Sequence, residues 1–84
     1  MKKCLFLDRD GVINIDKGYV HEPQQFELIR GIKKLLRAFK ENGFLLIIVT
    51  NQSGIGRGFY SEANFLKFTS WMREQLEGLI DEVY

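Results

Sequence analysis

Two clusters in this sequence combine residue types and spacings that could do chemistry. The first is Asp8-Arg9-Asp10-Gly11. Carboxylates two positions apart point the same way if the backbone stays extended, so Asp8 and Asp10 could reach one metal ion and one phosphate. A hard divalent cation such as magnesium takes a few carboxylates together with water and phosphate oxygens. The plain alternative is a surface turn, because Asp and Gly favour turns whatever their function. A calcium loop is excluded: counted from Asp8, the sixth position should be glycine and the twelfth glutamate, and these are Ile13 and Tyr19.

The second cluster is Thr50-Asn51-Gln52-Ser53. A threonine hydroxyl here could donate a hydrogen bond to a phosphoryl oxygen, a form of preorganised charge stabilisation; it could equally end a strand and cap the next turn. Gly54-Ile55-Gly56-Arg57-Gly58 follows. Phe59 stands where a dinucleotide fingerprint needs its third glycine, and no Gly-Lys-Ser/Thr follows for a P-loop. These glycines read as a flexible loop beside a site. Arg57 is either a contact for a second anionic group or a solvated side chain. His21 has no partner cluster and reads as a loop or surface histidine rather than a zinc ligand. Cys4 reads as a small buried strand residue.

The elements that must position these clusters are legible in the hydrophobic pattern. Cys4-Leu5-Phe6-Leu7 runs straight into the acidic cluster, and Phe44 to Val49 runs straight into Thr50. Continuous apolar runs of this kind suit strands buried on both faces of a parallel sheet. Between them Ile32, Leu35, Leu36 and Phe39 repeat with helical period, Lys33, Lys34, Arg37 and Lys40 face outward, and Asn42-Gly43 signals the stop. A second helix begins after Ser61, a good N-cap, with Glu62 at the positive end of its dipole. Its expected buried stripe is Phe65, Phe68, Met72, Leu76 and Leu79, with Gly78 near its end. Asp81-Glu82-Val83-Tyr84 looks like the approach to a third strand. The order β-α-β-α-β predicts an α/β fold with a parallel sheet and right-handed crossovers. Ligands bind such sheets at the carboxyl ends of the strands, so both clusters should converge on one pocket. Residues 12–30 fit neither helix nor strand, and irregular stretches of that length are often functional.

Eighty-four residues leave room for one small domain. With 12 basic and 11 acidic residues and no block of one sign, there is no electrostatic case for nucleic acid or for a membrane surface. The apolar runs are too short for a signal peptide or a membrane span. A lone cysteine cannot form an internal disulfide and fits a reducing compartment, so the expectation is a cytoplasmic protein.

The segments LFLDRDGVIN and LLIIVTNQSG resemble the first and second motifs of haloacid-dehalogenase-type phosphatases. GYVHEPQQFELI and TNQSGIGRG narrow the resemblance to the heptose bisphosphate phosphatases, with histidinol-phosphate phosphatases as relatives. The resemblance implies a capless, Rossmann-like fold of which residues 1–84 form the N-terminal half of a single domain. It implies that Asp8 attacks phosphorus and that Asp10 protonates the leaving sugar oxygen and then activates water. Magnesium would bind Asp8 and the backbone carbonyl of Asp10. Thr50 would hold the phosphoryl group, and Asp16, Lys17, Gly18, Tyr19, Asn51, Gln52 and Ser53 would help bind a small phosphorylated sugar. Family members continue past the position of Tyr84 with a cysteine/histidine zinc loop, a phosphate-binding lysine and further acidic residues, so structural zinc is expected only there. An 84-residue piece of that fold would expose one edge of its first strand, open to pairing with another chain or with the missing half. Three alternatives stay open: a histidinol-phosphate phosphatase, a non-catalytic fragment that pairs through this edge, and a metal- or phosphate-binding remnant without turnover.

Overall fold

The computed structural model describes residues 3–51 and 53–84, Ser53 by its backbone alone. Strand β1 is Lys3–Asp8, helix α1 Ile32–Glu41, strand β2 Phe44–Val49, helix α2 Ser53–Gly56, helix α3 Glu62–Gln75 and strand β3 Glu82–Val83, with a 3-10 turn at Pro23–Gln25. The strands form one parallel sheet in the order β1-β2-β3, as the sequence pattern requires. Among the described residues β1 pairs on one side only, so its outer edge is open.

Spatial order follows sequence order, so both crossovers step in the same direction and right-handed connections bring both long helices to one face. Ile32 and Leu36 of α1 and Met72 of α3 share a core cluster with Leu76, Leu7, Leu46 and Ile48. Among the described residues only that face is covered. The expectation of strands buried on both sides is therefore corrected: Leu7, Leu46 and Ile48 point inward, whereas Phe6 is 64% and Val49 42% exposed. Cys4 shares the open face and is an exposed free thiol, not a buried strand residue. In α1 the buried stripe is narrower than its sequence suggests, because Leu35 is 47% exposed while Phe39 sits edge-on to Phe44.

Local signals place the helix ends. The Asn42 side chain donates to the Ala38 carbonyl at 2.7 Å, and Gly43 takes the left-handed conformation (φ 83°) that releases the chain into β2. Ser61 Oγ accepts the Asn64 N–H at 3.0 Å, which caps α3 as its sequence requires. The helix ends at Gln75; Leu76 and Ile80 continue into the core beyond it. Asp81 then ties the layers together. Its N–H donates to Leu46 O (2.8 Å), and its carboxylate accepts from the Leu46 N–H (2.7 Å) and from Lys40 of α1.

Residues 12–30 are irregular apart from the 3-10 turn, yet they are packed. Ile13 and Val20 are fully buried or nearly so. Phe26 sits edge-on to Phe68 and Trp71 of α3, at 5.7 and 5.6 Å between ring centres. That aromatic cluster seats the segment over the carboxyl end of β1.

Candidate active site

The acidic cluster begins where β1 stops. The Arg9 N–H makes the last bond to β2 (Val49 O, 3.2 Å), and the Arg9 carbonyl then accepts from the N–H groups of Val12, Ile13 and Asn14 at 3.3, 2.8 and 3.2 Å. Gly11 (φ 89°) supplies the left-handed residue of this turn, and its N–H donates to Asn14 O at 2.7 Å. The Asp10 carbonyl stays outside the turn's own bonds.

The two carboxylates sit differently. Asp8 is exposed and its side chain has no hydrogen-bond or ion-pair partner among the described residues. Asp10 is held. Its Oδ1 accepts from Asn14 Nδ2 (2.9 Å), Arg9 Nη2 (3.1 Å) and Arg9 Nε (3.3 Å), and among the described residues its Oδ2 meets only Arg9 Nη2, at 3.3 Å. Arg9 is 3% exposed and Asn14 fully buried. The guanidinium is itself anchored by a 2.6 Å bond from Nη2 to the Val20 carbonyl and lies 5.3 Å over the Phe68 ring.

Register brings the second cluster to the same end of the sheet, because Asp8 pairs with Val49. Thr50 follows directly, but its hydroxyl donates to the Tyr84 carbonyl at 2.9 Å, beside the 2.7 Å bond from its own N–H. Binding of a phosphoryl group by this hydroxyl hydrogen requires exchange of that bond. Asn51 joins Arg9, Asp10, Asp16, Gly18, Tyr19 and Tyr60 around a cavity of about 200 Å³. The Asp16 carboxylate accepts the Gly18 N–H at 3.0 Å, which curls the segment into that wall.

Other expected residues lie elsewhere. Lys17 turns away to pair with Glu27 at 3.0 Å. Arg57 is exposed and does not line the cavity. Gln52 and the Ser53 side chain lie outside the described residues. The glycines expected to form a flexible loop include the short helix α2, in which Gly54 is buried. His21 is the loop histidine expected, half-buried and stacked on Tyr60 with ring centres 4.6 Å apart.

Arg9, Asn14 and Tyr60 are the residues that sequence reasoning passed over. Asn14 lies within the LFLDRDGVIN segment, and Arg9 stands between the two acids, so position alone was a signal for both. Tyr60 carried none. Burial pushes its phenol above the ordinary value of 10.0, Arg9 opposes that shift, and Asp10 and Tyr19 add to it, so Tyr60 presents a neutral hydroxyl at neutral pH.

Among the described residues no group of three or more His, Cys, Asp or Glu side chains could hold a metal ion. The partnerless Asp8 carboxylate and the Asp10 carbonyl are hard oxygen donors. They fit a magnesium site that water and substrate phosphate help complete, since magnesium is bound through one or two carboxylates plus phosphate oxygens.

No family model matches the chain. Curated relatives do. The chain is 58% identical over 72 residues to the D-glycero-beta-D-manno-heptose-1,7-bisphosphate 7-phosphatase of Pasteurella multocida, covering 86% of this chain and 39% of that protein. It is 56% identical over 69 residues to the enzyme of the same name from Escherichia coli K12, covering 82% and 36%. Its fold matches the crystal structure of D,D-heptose 1.7-bisphosphate phosphatase from B. bronchiseptica complexed with magnesium and phosphate. That match has a TM-score of 0.87 and 27% identity, over 98% of this chain and 48% of the other. Over more than four fifths of its own length the chain is thus similar to heptose bisphosphate phosphatases. It spans about two fifths of the length of the curated relatives it matches.

Proposed function

We propose that this chain is the nucleophile-bearing part of a magnesium-dependent phosphatase that removes the 7-phosphate of a heptose 1,7-bisphosphate. The observation that carries the reading is a partnerless carboxylate, Asp8, beside a firmly held one, Asp10, in a chain 58% identical to a relative named for that reaction. An Asp8 oxygen attacks phosphorus while the bond from phosphorus to the sugar oxygen breaks, leaving an aspartyl-phosphate. Asp10 gives its proton to the departing oxygen, then takes one from the water that attacks the same phosphorus, freeing inorganic phosphate and restoring Asp8. Asn51, and Thr50 once its hydroxyl exchanges its bond to the Tyr84 carbonyl, would bind phosphoryl oxygens. Asp16, Gly18 and Tyr19 form the opposite wall for the sugar. Lys17, released from its pair with Glu27, together with Gln52 and Ser53 would help bind the substrate. When bound through Asp8 and the Asp10 carbonyl, magnesium would offset the repulsion between an attacking carboxylate and an anionic phosphate. A cytoplasmic location fits such a substrate, and no helix among the described residues is long and apolar enough to cross a membrane.

The test is phosphate release by the full-length protein with heptose 1,7-bisphosphate and with histidinol phosphate, for wild type and Asp8→Asn. Magnesium-dependent release from the heptose substrate, lost in the variant, is the expected result. Unchanged turnover in Asp8→Asn refutes the nucleophile, and a preference for histidinol phosphate refutes the sugar. A second reading, association through the open edge of β1, is favoured by the one-sided pairing of that strand. Size-exclusion chromatography with light scattering decides it: a stable monomer of the 84-residue chain refutes edge pairing.

A further inference from the structure

The grip on Asp10 is asymmetric, and resting on the phosphatase reading above, we infer that Arg9 and Asn14 are positioning residues that leave Oδ2 of Asp10 as the oxygen exchanging a proton with the leaving group. Three donors converge on Oδ1, at 2.9, 3.1 and 3.3 Å, which fills its acceptor capacity and fixes the plane of the carboxyl group. Oδ2 keeps a single long contact of 3.3 Å. A proton transferred in the reaction therefore leaves from and returns to Oδ2, while Oδ1 serves as the hinge pin.

The donors are in turn immobilised. Arg9 Nη2 is tied to the Val20 carbonyl at 2.6 Å, in the segment whose residues 16, 18 and 19 line the cavity, and the guanidinium is packed on Phe68. Asn14 is fully buried, and its amide also donates to the Ile15 carbonyl at 3.1 Å. One side chain thus links the orientation of Asp10 to the wall that contacts substrate.

The arrangement is not one that stability alone would select. Arg9 Nη1 and Asn14 Oδ1 are both buried without a hydrogen-bond partner among the described residues. Buried polar atoms left unpaired are costly, and a buried charge pair commonly gains nothing over apolar residues of similar volume. Orphaned atoms on the two residues that grip a catalytic carboxyl group point to orientation as what the pair supplies.

The test uses the full-length protein with Asn14→Leu and Arg9→Lys, and two substrates that differ in their need for a proton. A sugar alkoxide must be protonated as it leaves, whereas p-nitrophenolate leaves without one. Loss of Asp10 orientation should slow single-turnover release of the sugar by about 100-fold, the scale of general acid catalysis. The single-turnover burst of p-nitrophenolate should change by less than about 3-fold, whereas hydrolysis of the aspartyl-phosphate, which needs Asp10 as base, slows alike for both substrates. Arg9→Lys keeps the charge but loses the fork, so it should fall between wild type and Asn14→Leu. Equal losses in the single-turnover release of both leaving groups mean a merely structural role and overturn the proposal. A readout independent of turnover accompanies this: the side-chain N–H signals of Arg9 and Asn14 should exchange slowly with solvent and speed up in Asp10→Ala. Fast exchange in the wild type overturns the grip even if the enzyme is active. Slow exchange with no phosphate release from either substrate would instead strike down the phosphatase reading, and the catalytic role of the grip with it.

Discussion

Gly54 stands at a position where two physical effects of opposite sign compete. Its backbone lies outside the left-handed region, so alanine is conformationally permitted there. On chain entropy alone Gly54→Ala should stabilise the protein by about 0.4–1 kcal/mol. The new methyl group, however, would lie 2.7 Å from Cζ and 2.8 Å from the hydroxyl of Tyr60, well inside the 3.4 Å at which ordinary contact begins. Tyr60 has little room to retreat: it is 7% exposed, stacked on His21 at 4.6 Å and near-parallel to Phe65 at 6.3 Å. Overpacking of this kind costs about 1–3 kcal/mol, so the clash should win and leave a net loss of about 1 kcal/mol. Urea unfolding followed by circular dichroism should show a lower midpoint with an unchanged slope. Gly56→Ala is the control, since nothing lies within 4 Å of its added methyl and its φ is also permissive; it should be neutral or slightly stabilising. Tyr60→Leu should relieve the clash, giving a coupling of about 1 kcal/mol in the double-mutant cycle. A Gly54→Ala protein at least as stable as wild type would refute the reasoning.

Other expectations follow from the same geometry. Leu36 is fully buried between α1 and the sheet, so Leu36→Ala should cost about 2–5 kcal/mol in the same unfolding assay, and a loss under about 1 kcal/mol would mean the core is not packed as described. Asp81→Ala strips the Leu46 N–H of its acceptor and should cost about 1–3 kcal/mol, whereas Asp81→Asn keeps an acceptor and should cost less. The Arg37 hydrogen bond, outweighing partial burial and helped by the charges of Arg37 and Lys33, holds the Glu77 carboxyl below its ordinary 4.5. Its contribution is present above that pH and lost as pH falls through the lowered folded value, so the stability gap between wild type and Glu77→Gln should close in acid. Tyr60 has the opposite slope: burial raises its pKa above 10.0, so stability falls as pH climbs past that value, and Tyr60→Phe should flatten this alkaline limb.

Much of this protein is determined locally and is therefore readable from the sequence. The unbroken apolar runs at Leu5–Leu7 and Phe44–Val49 become strands because nothing in them can face water on both sides, and the period of Ile32, Leu36 and Phe39 becomes α1. Ser61 and Gly43 set helix ends through bonds and dihedrals that involve only near neighbours. The arrival of Asp8 and Thr50 at one end of the sheet follows from the parallel pairing of β1 with β2.

The tertiary structure decided what depends on residues far apart in the chain. An apolar run does not say which sheet face will be covered; because both helices fall on one side, Cys4 and Phe6 are left facing outward. Nor does a polar residue's type say where its hydrogen bonds go. Lys17 reaches Glu27 instead of the cavity, and the Thr50 hydroxyl reaches Tyr84, because those acceptors are brought close only once the chain has folded. Arg9 shows the principle most clearly. Its place between two acids gives it no role of its own, yet the segment ending at Val20 and the ring of Phe68 close over it and turn it into the clamp on Asp10. Hydrogen bonds and burial are set by who the neighbours are, and a chain acquires most of its neighbours only by folding.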